Sequence, residues 1–218
     1  LELAPVALDA GFDGVKAAEA LAAVAKGSPR AQLQFHLDPI SAYAETAEGD
    51  IDAAVTEAAE AAARLAGTYP DAKLFLASGR VVHEAGGSAG QELAFAAASA
   101  VAYVKAAVLA GLTTEQALKG VVLGVSVDAE YFDALAKVRA MRLIWASVSK
   151  AFGHETPAVI EARSSRRMLS ARDPWPNMLR LTAAGFAGAV GGADVVVLDG
   201  FTRAAGLSDA FARRQARN

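Results

Sequence analysis

Cysteine is absent from the 218 residues, which rules out a disulfide framework, a thiolate nucleophile and a cysteine metal site. A reducing cytoplasm is the compartment easiest to reconcile with that lack. Histidine is scarce, so any histidine chemistry must use His36, His83 or His154. No metal-ligand spacing occurs, and no metal is expected. Positive charge is not in excess: the net charge is −3 and the isoelectric point about 5.7. The broad basic field that recruits a phosphate backbone is missing, which sets nucleic acid aside as a partner. Long apolar runs are lacking as well. The longest uncharged one, Leu93 to Val104, is closed by Glu92 and Lys105. It is short of the roughly 20 residues of a membrane span and reads as a buried helix, so no membrane partner is expected. The opening residues carry no leader pattern, and Leu1 stands where an initiator Met would. The expectation is that the first residues of the natural protein are missing.

What is present is apolar and orderly. Hydrophobic residues make up 54% and charged residues 21%, enough to bury one sizeable core. Short β-rich runs alternate with Ala-rich stretches of helical period, the signature of βα units around a parallel sheet. Strands are predicted at Val6 to Leu8, Gln32 to Leu37, Lys73 to Ala77, Val121 to Val127, Val159 to Arg163 and Asp194 to Leu198. The helices that follow them are predicted at Val15 to Lys26, Ile51 to Ala66, Gln91 to Ala110, Tyr131 to Phe152, Asn177 to Val190 and Asp209 to Arg217. Thr113, Thr114 and Glu115 precede a short turn of helix, Asp128 is placed to cap the helix through Trp145, and Gly111 and Gly153 follow helix ends. Pro29, Pro39, Pro70, Pro157, Pro174 and Pro176 fall outside the predicted helix interiors, where proline would cost about 3 kcal/mol.

Six such units are too few to close an eight-stranded barrel, which usually takes about 250 residues. A doubly wound sheet is disfavoured because the first strand lacks a Gly-rich phosphate turn. The fold expected is therefore α/β, a partial (β/α)8 TIM-type barrel forming one domain over 1–218, with N-terminal strands missing. An open barrel edge invites association, so a dimer or an intimate partner is expected.

Several side chains could carry chemistry. His36 ends one strand and His83 follows another, where a βα barrel has its active face. The alternative for each is a histidine that satisfies loop backbone groups. His154 follows a helix end and is expected at the surface. Ser78 to Gly87 is the most loop-like stretch; its glycines permit close approach to a ligand, but Walker spacing is missing. Arg163, Ser164, Ser165, Arg166 and Arg167, with Arg172, gather cations at a strand end, to hold a carboxylate or phosphate or to pair with surface acids. Lys137, Arg139 and Arg142 read as solvated or paired along their helix, Lys137 with Asp133.

Read in order, several blocks resemble the substrate barrel of the methylmalonyl-CoA mutase family. They are His83-Glu84-Ala85-Gly86 with Gln91-Glu92-Leu93-Ala94, then Ala136-Lys137-Val138-Arg139-Ala140 with Leu143 and Trp145-Ala146. Asp173-Pro174-Trp175 with Asn177, Ala205-Gly206-Leu207, Ala212-Arg213-Arg214 and Ala216-Arg217-Asn218 follow. The match runs from about residue 70 to the end; the earlier part, with Leu37-Asp38-Pro39, is closest to the small-subunit branch. The resemblance implies a barrel that admits acyl-CoA through its centre, followed by a separate domain carrying adenosylcobalamin on an Asp-x-His-x-x-Gly motif. That motif is missing here, so a cobalamin-binding domain is not expected in this chain, which is expected to be a fragment of a longer one.

The departures from the family pattern concern its functional residues. In catalytic members a histidine three residues ahead of the Glu in Glu-Ala-Gly assists migration at the thioester carbonyl; here that position is Val81, with His83 as fallback. Of the family-equivalent cofactor positions, Glu84 matches, whereas Arg166 stands in place of a glycine and Arg203 in place of the Glu that anchors the adenosyl ribose. Arg80, Val81, Arg163 and Ser165 are the substrate-pocket candidates. The resemblance thus implies a small, non-catalytic subunit of an adenosylcobalamin-dependent methylmalonyl-CoA mutase, paired with the catalytic large subunit as a heterodimer or with its own copy, and with acyl-CoA a further partner. The alternatives are an active acyl-CoA mutase of altered specificity that uses His83 or Arg163, and a stand-alone module for acyl-CoA or another anion.

Overall fold

The computed structural model describes every residue except 1, 3, 29 and 207, and only the backbone of residue 12. Leu1, Pro29 and Leu207 thus lie outside the described residues. Six strands stand in one sheet in chain order: β1 (Val6–Ala7), β2 (Leu33–Leu37), β3 (Lys73–Ser78), β4 (Val121–Val127), β5 (Ile160–Ser164) and β6 (Val195–Val197). The pairs β1–β2, β2–β3 and β5–β6 are parallel. A strand order without reversal is that of a (β/α)8 barrel and not of a doubly wound sheet, so the expected class, a partial barrel of six βα units, holds.

Helices α1 (Gly14–Ala25), α2 (Pro39–Thr46), α3 (Ile51–Thr68), α4 (Arg80–Glu84), α5 (Ala89–Leu109), α6 (Thr114–Lys119), α7 (Tyr131–Ala151), α8 (Pro176–Gly191) and α9 (Ala210–Arg217) link the strands and follow the last. Local chemistry starts them. Asp50 accepts from Asp52 N at 3.0 Å and Ala53 N at 3.1 Å to cap α3, and Thr113 and Gln116 form a capping box on α6. Pro39 and Pro176 are the first residues of α2 and α8, where the missing N–H costs nothing.

Two expectations need correction. Helix α2 falls in a stretch read as connection; its cap, Asp38 accepting from Ser41 N at 3.2 Å, was in the sequence ahead of a proline. The loop-like stretch from Ser78 to Gly87 contains α4. Helix α5 runs 21 residues, within a residue or two of the expected Gln91 to Ala110 and with Glu92 and Lys105 inside it, and by length and composition it is apolar enough to cross a membrane. Leu93, Ala96, Ala100, Tyr103, Val104 and Ala107 along it are buried.

The chain divides into two compact units: Leu1–Ser78 with Ala96–Leu123 and Trp145–Ala158, and Gly79–Phe95 with Gly124–Ile144 and Val159–Asn218. The first unit packs Phe35 edge-on to Tyr69 and stacks Phe75 on Tyr103, with ring centroids 5.0 Å apart in the stacked pair. The buried alanines of α3 let that helix lie close to its neighbours. The second unit has a core of Leu181, Phe201 and Ala212, with Trp175 stacked on Phe201 at 5.2 Å. There Asn177 acts as a knot: its amide nitrogen donates to Ser170 O at 2.8 Å and Phe201 O at 2.9 Å, and its oxygen accepts from Ser170 N at 2.9 Å.

Candidate functional site

In the second unit, helix α4, helix α5, the end of β4, helix α7 and the end of β5 each send one polar group to a buried cluster. Lys137 Nζ donates to Glu92 Oε2 at 2.6 Å, and Glu92 Oε1 accepts from Ser126 N. His83 Nδ1 lies 3.4 Å from the same Glu92 Oε2, and His83 Nε2 is 2.7 Å from Ser165 Oγ. Glu92 is 0% exposed, Ser165 1%, and His83 and Lys137 each 6%. The expectation that Lys137 is solvated or pairs with Asp133 is therefore overturned. A buried ammonium needs a carboxylate within contact distance, and α5 supplies it.

Electrostatics follow from the packing. Burial alone would raise the Glu92 carboxyl, but bonds from His83, Lys137 and the Ser126 amide outweigh it and hold Glu92 below the usual carboxylate range. A carboxylate only accepts, so hydrogen-bonding logic puts a proton on His83 Nδ1 and turns Nε2 to the Ser165 hydroxyl. Ser165 Oγ also accepts from Arg167 N at 3.2 Å. Gly79 makes the arrangement possible: a Cβ there would stand 2.2 Å from the Glu92 carbonyl oxygen. The close approach read for the glycines of this stretch is thus to the protein's own helix.

The other candidate residues surround this cluster. Arg80 and Val81 are the first two residues of α4 and are half-buried. Glu84 Oε1 accepts from Arg166 N at 2.9 Å, and the Arg166 guanidinium, 53% exposed, lies 3.7 Å from Asp199. Arg167 donates to His83 O at 2.8 Å. Arg163 pairs with buried Glu161 at 2.7 Å, and half-buried Arg203 opens a 3-10 turn, Arg203–Ala205. Arg142 pairs with Asp194 at 3.0 Å, and Arg139 and His154 are exposed. In the first unit, His36 is buried, with its ring nitrogens on Leu8 O at 3.1 Å and Gln34 Oε1 at 2.9 Å. It therefore satisfies neighbouring polar groups. Among the described residues, no group of three or more His, Cys, Asp and Glu could hold a metal ion.

Sequence reading missed two sets of contacts. One is the Glu92–Lys137 pair, which joins the Gln91-Glu92-Leu93-Ala94 block to the Ala136-Lys137-Val138 block. The other is Asp38 with Tyr103 in the first unit, where Tyr103 Oη donates to Asp38 Oδ1 at 2.6 Å.

Parallel strands in chain order, alternating with helices, define the class: a partial (β/α)8 barrel. The chain belongs to the methylmalonyl-CoA mutase family, whose pattern matches residues 15–218. The family is one of isomerases. The chain is 40% identical over 230 residues to the methylmalonyl-CoA mutase small subunit of Streptomyces virginiae, covering 100% of this chain and 36% of that protein. It is 34% identical over 227 residues to the methylmalonyl-CoA mutase small subunit of Propionibacterium freudenreichii subsp. shermanii, covering 100% of this chain and 35% of that one. Against the methylmalonyl-CoA mutase large subunit of Porphyromonas gingivalis, identity is 30% over 145 residues, 65% of this chain and 20% of that protein. The chain thus spans little more than a third of the length of the small subunits it matches.

Proposed function

We propose that this chain serves as part of a small, non-catalytic subunit of an adenosylcobalamin-dependent methylmalonyl-CoA mutase. The interconversion of methylmalonyl-CoA and succinyl-CoA would then proceed in a larger catalytic partner, in the cytoplasm, with the two subunits as a heterodimer. The observation that carries this reading is the commitment of both His83 ring nitrogens, to Glu92 and to Ser165, inside a sealed cluster. Position 81, where the family's catalytic histidine falls, is a valine whose isopropyl group neither donates nor accepts. His83 is no replacement. Two residues along a helix are turned by about 200°, so within α4 it points away from the direction of Val81.

Adenosylcobalamin, which the family is known to use, does not fit the residues at the equivalent positions. Arg203 carries only donors where a ribose-anchoring carboxylate is required. Arg166 places a cation beside Asp199, and Glu84 is occupied by the Arg166 amide. Acyl-CoA contact through Arg80, Val81, Arg163 or Ser165 is a narrower claim, and the Glu161 pairing of Arg163 and the burial of Ser165 weigh against two of the four.

The test is His83→Ala in the purified complex with the larger chain. Turnover within about twofold of the unsubstituted complex is expected. A loss of two orders of magnitude or more, with the complex still assembled, would transfer the chemistry to this chain.

A further inference from the structure

Residues 36–47 of the first unit combine two features. His36 (φ 50°) and Ala47 (φ 56°) are the two non-glycine residues with left-handed backbone among the described residues, and they bracket α2. Such strain persists only where surrounding contacts enforce it, and it concentrates in segments that switch. At His36 it coincides with a break in strand register between Gln34 and Leu37.

Between these brackets the first turn of α2 hangs on one polar pair. Tyr103 Oη donates to Asp38 Oδ1 at 2.6 Å, Ser41 N donates to the same oxygen at 3.2 Å, and Ile40 N donates to Tyr103 Oη at 3.0 Å. Ser41 Oγ adds a bond to Ser78 O at 3.0 Å. Tyr103 is sealed, whereas Asp38 keeps an edge on a crevice of about 40 Å³ floored by Gly11, Gly14 and Leu37, room enough for water. The groups facing Asp38 are Tyr103 from α5, Ser41 from α2, the Ser78 backbone from β3 and Glu57 of α3 across the crevice. None of these is a cation.

We propose that residues 36–47 form a strap latched to α5 by Asp38 and Tyr103, closed in mild acid and loosened as the pH rises to neutrality. Burial pushes the latched Asp38 carboxyl up to about 7, against the pull of Tyr103 and Ser41. Released into water, the same carboxyl returns toward its ordinary 3.8. Opening therefore sheds a proton between these two values. The open fraction rises by at most about tenfold per pH unit across that window and levels off above it. The strap leaves the carboxyl end of β2, the end of the strands where barrels of this class carry their active face.

Hydrogen exchange at the Ile40 and Ser41 amides of the full chain tests this between pH 5 and pH 8.5, after correction for intrinsic exchange and with buried α3 amides as reference. The expected result is protection that falls by up to about a hundredfold from pH 5 to pH 7 and is flat above, with no matching slope in α3. Asp38→Asn should abolish the slope. Tyr103→Phe removes a bond that favours the carboxylate, and should move the onset of the flat region to higher pH. Protection independent of pH, or an unchanged slope in Asp38→Asn, would overturn the proposal. If Asp38→Asn does not fold, an unmoved onset in Tyr103→Phe overturns it.

Discussion

Lys137 Nζ sits 2.6 Å from Glu92 Oε2, with the Glu92 side chain 0% and the Lys137 side chain 5% exposed, although 45 residues separate them in the chain. Each residue belongs to a different block of the family resemblance, and the pair ties those two blocks together in space. Neither charge could stay in the interior without the other.

Removing one partner should cost more than removing both. Glu92→Gln leaves a buried ammonium without its counter-charge and should destabilise the fold by about 3–5 kcal/mol in a denaturant titration. Glu92→Gln combined with Lys137→Met should recover a large part of that loss. A double variant as unstable as the single one would mean that the cost lies in the His83 and Ser126 contacts.

The same carboxylate sets an acid limit. Glu92 is held below the ordinary 4.5 in the folded chain, so its contribution is complete above that value and is lost as the pH falls through the lower, folded pKa. Stability measured from pH 6 down to pH 2 should drop on this limb, and Glu92→Gln should flatten it. An unchanged acid limb in the variant would assign acid unfolding to other carboxylates.

Gly79 and Gly90 should respond to alanine in opposite directions. A Cβ at Gly79 would meet the Glu92 carbonyl oxygen at 2.2 Å, whereas one at Gly90, within α5, would meet nothing within 4 Å. Gly79→Ala should cost about 2–3 kcal/mol by overpacking, and Gly90→Ala should gain about 0.5–1 kcal/mol from helix propensity and a stiffer unfolded chain. Thermal unfolding of the two variants side by side checks the signs.

Asn177→Ala should loosen the segment it ties. The substitution leaves Ser170 O and Phe201 O without their donor and Ser170 N without its acceptor, a loss of about 2–4 kcal/mol by the cost of buried unpaired polar groups. Limited proteolysis should then cut between residues 165 and 176 faster than in the unsubstituted chain.

How far the sequence showed all this depends on the range of each interaction. The strands were legible because β4 is buried along its whole length, so all seven of its residues, Gly124 and Ser126 apart, are valine or leucine. The capping box at Thr113 and Gln116 was partly legible, since its partners lie three residues apart. Lys137 was misread because helical spacing offered Asp133 as partner, and nothing local reveals a carboxylate arriving from α5. Helix α2 was missed because its eight residues carry too weak a period to outweigh an Asp-Pro that also reads as a turn. His83 stands out in the sequence beside a strand end, but its place in α4, and hence its turn away from position 81, is hidden in a stretch whose glycines read as a loop.

A non-catalytic role for this chain is tested by an assay of methylmalonyl-CoA isomerisation by the chain purified free of any partner, with adenosylcobalamin added, beside its complex with the larger chain. Turnover by the complex and none by the chain alone is the expected result. Isomerisation by the isolated chain would contradict it, and would mean that a residue other than the valine at position 81 performs the chemistry.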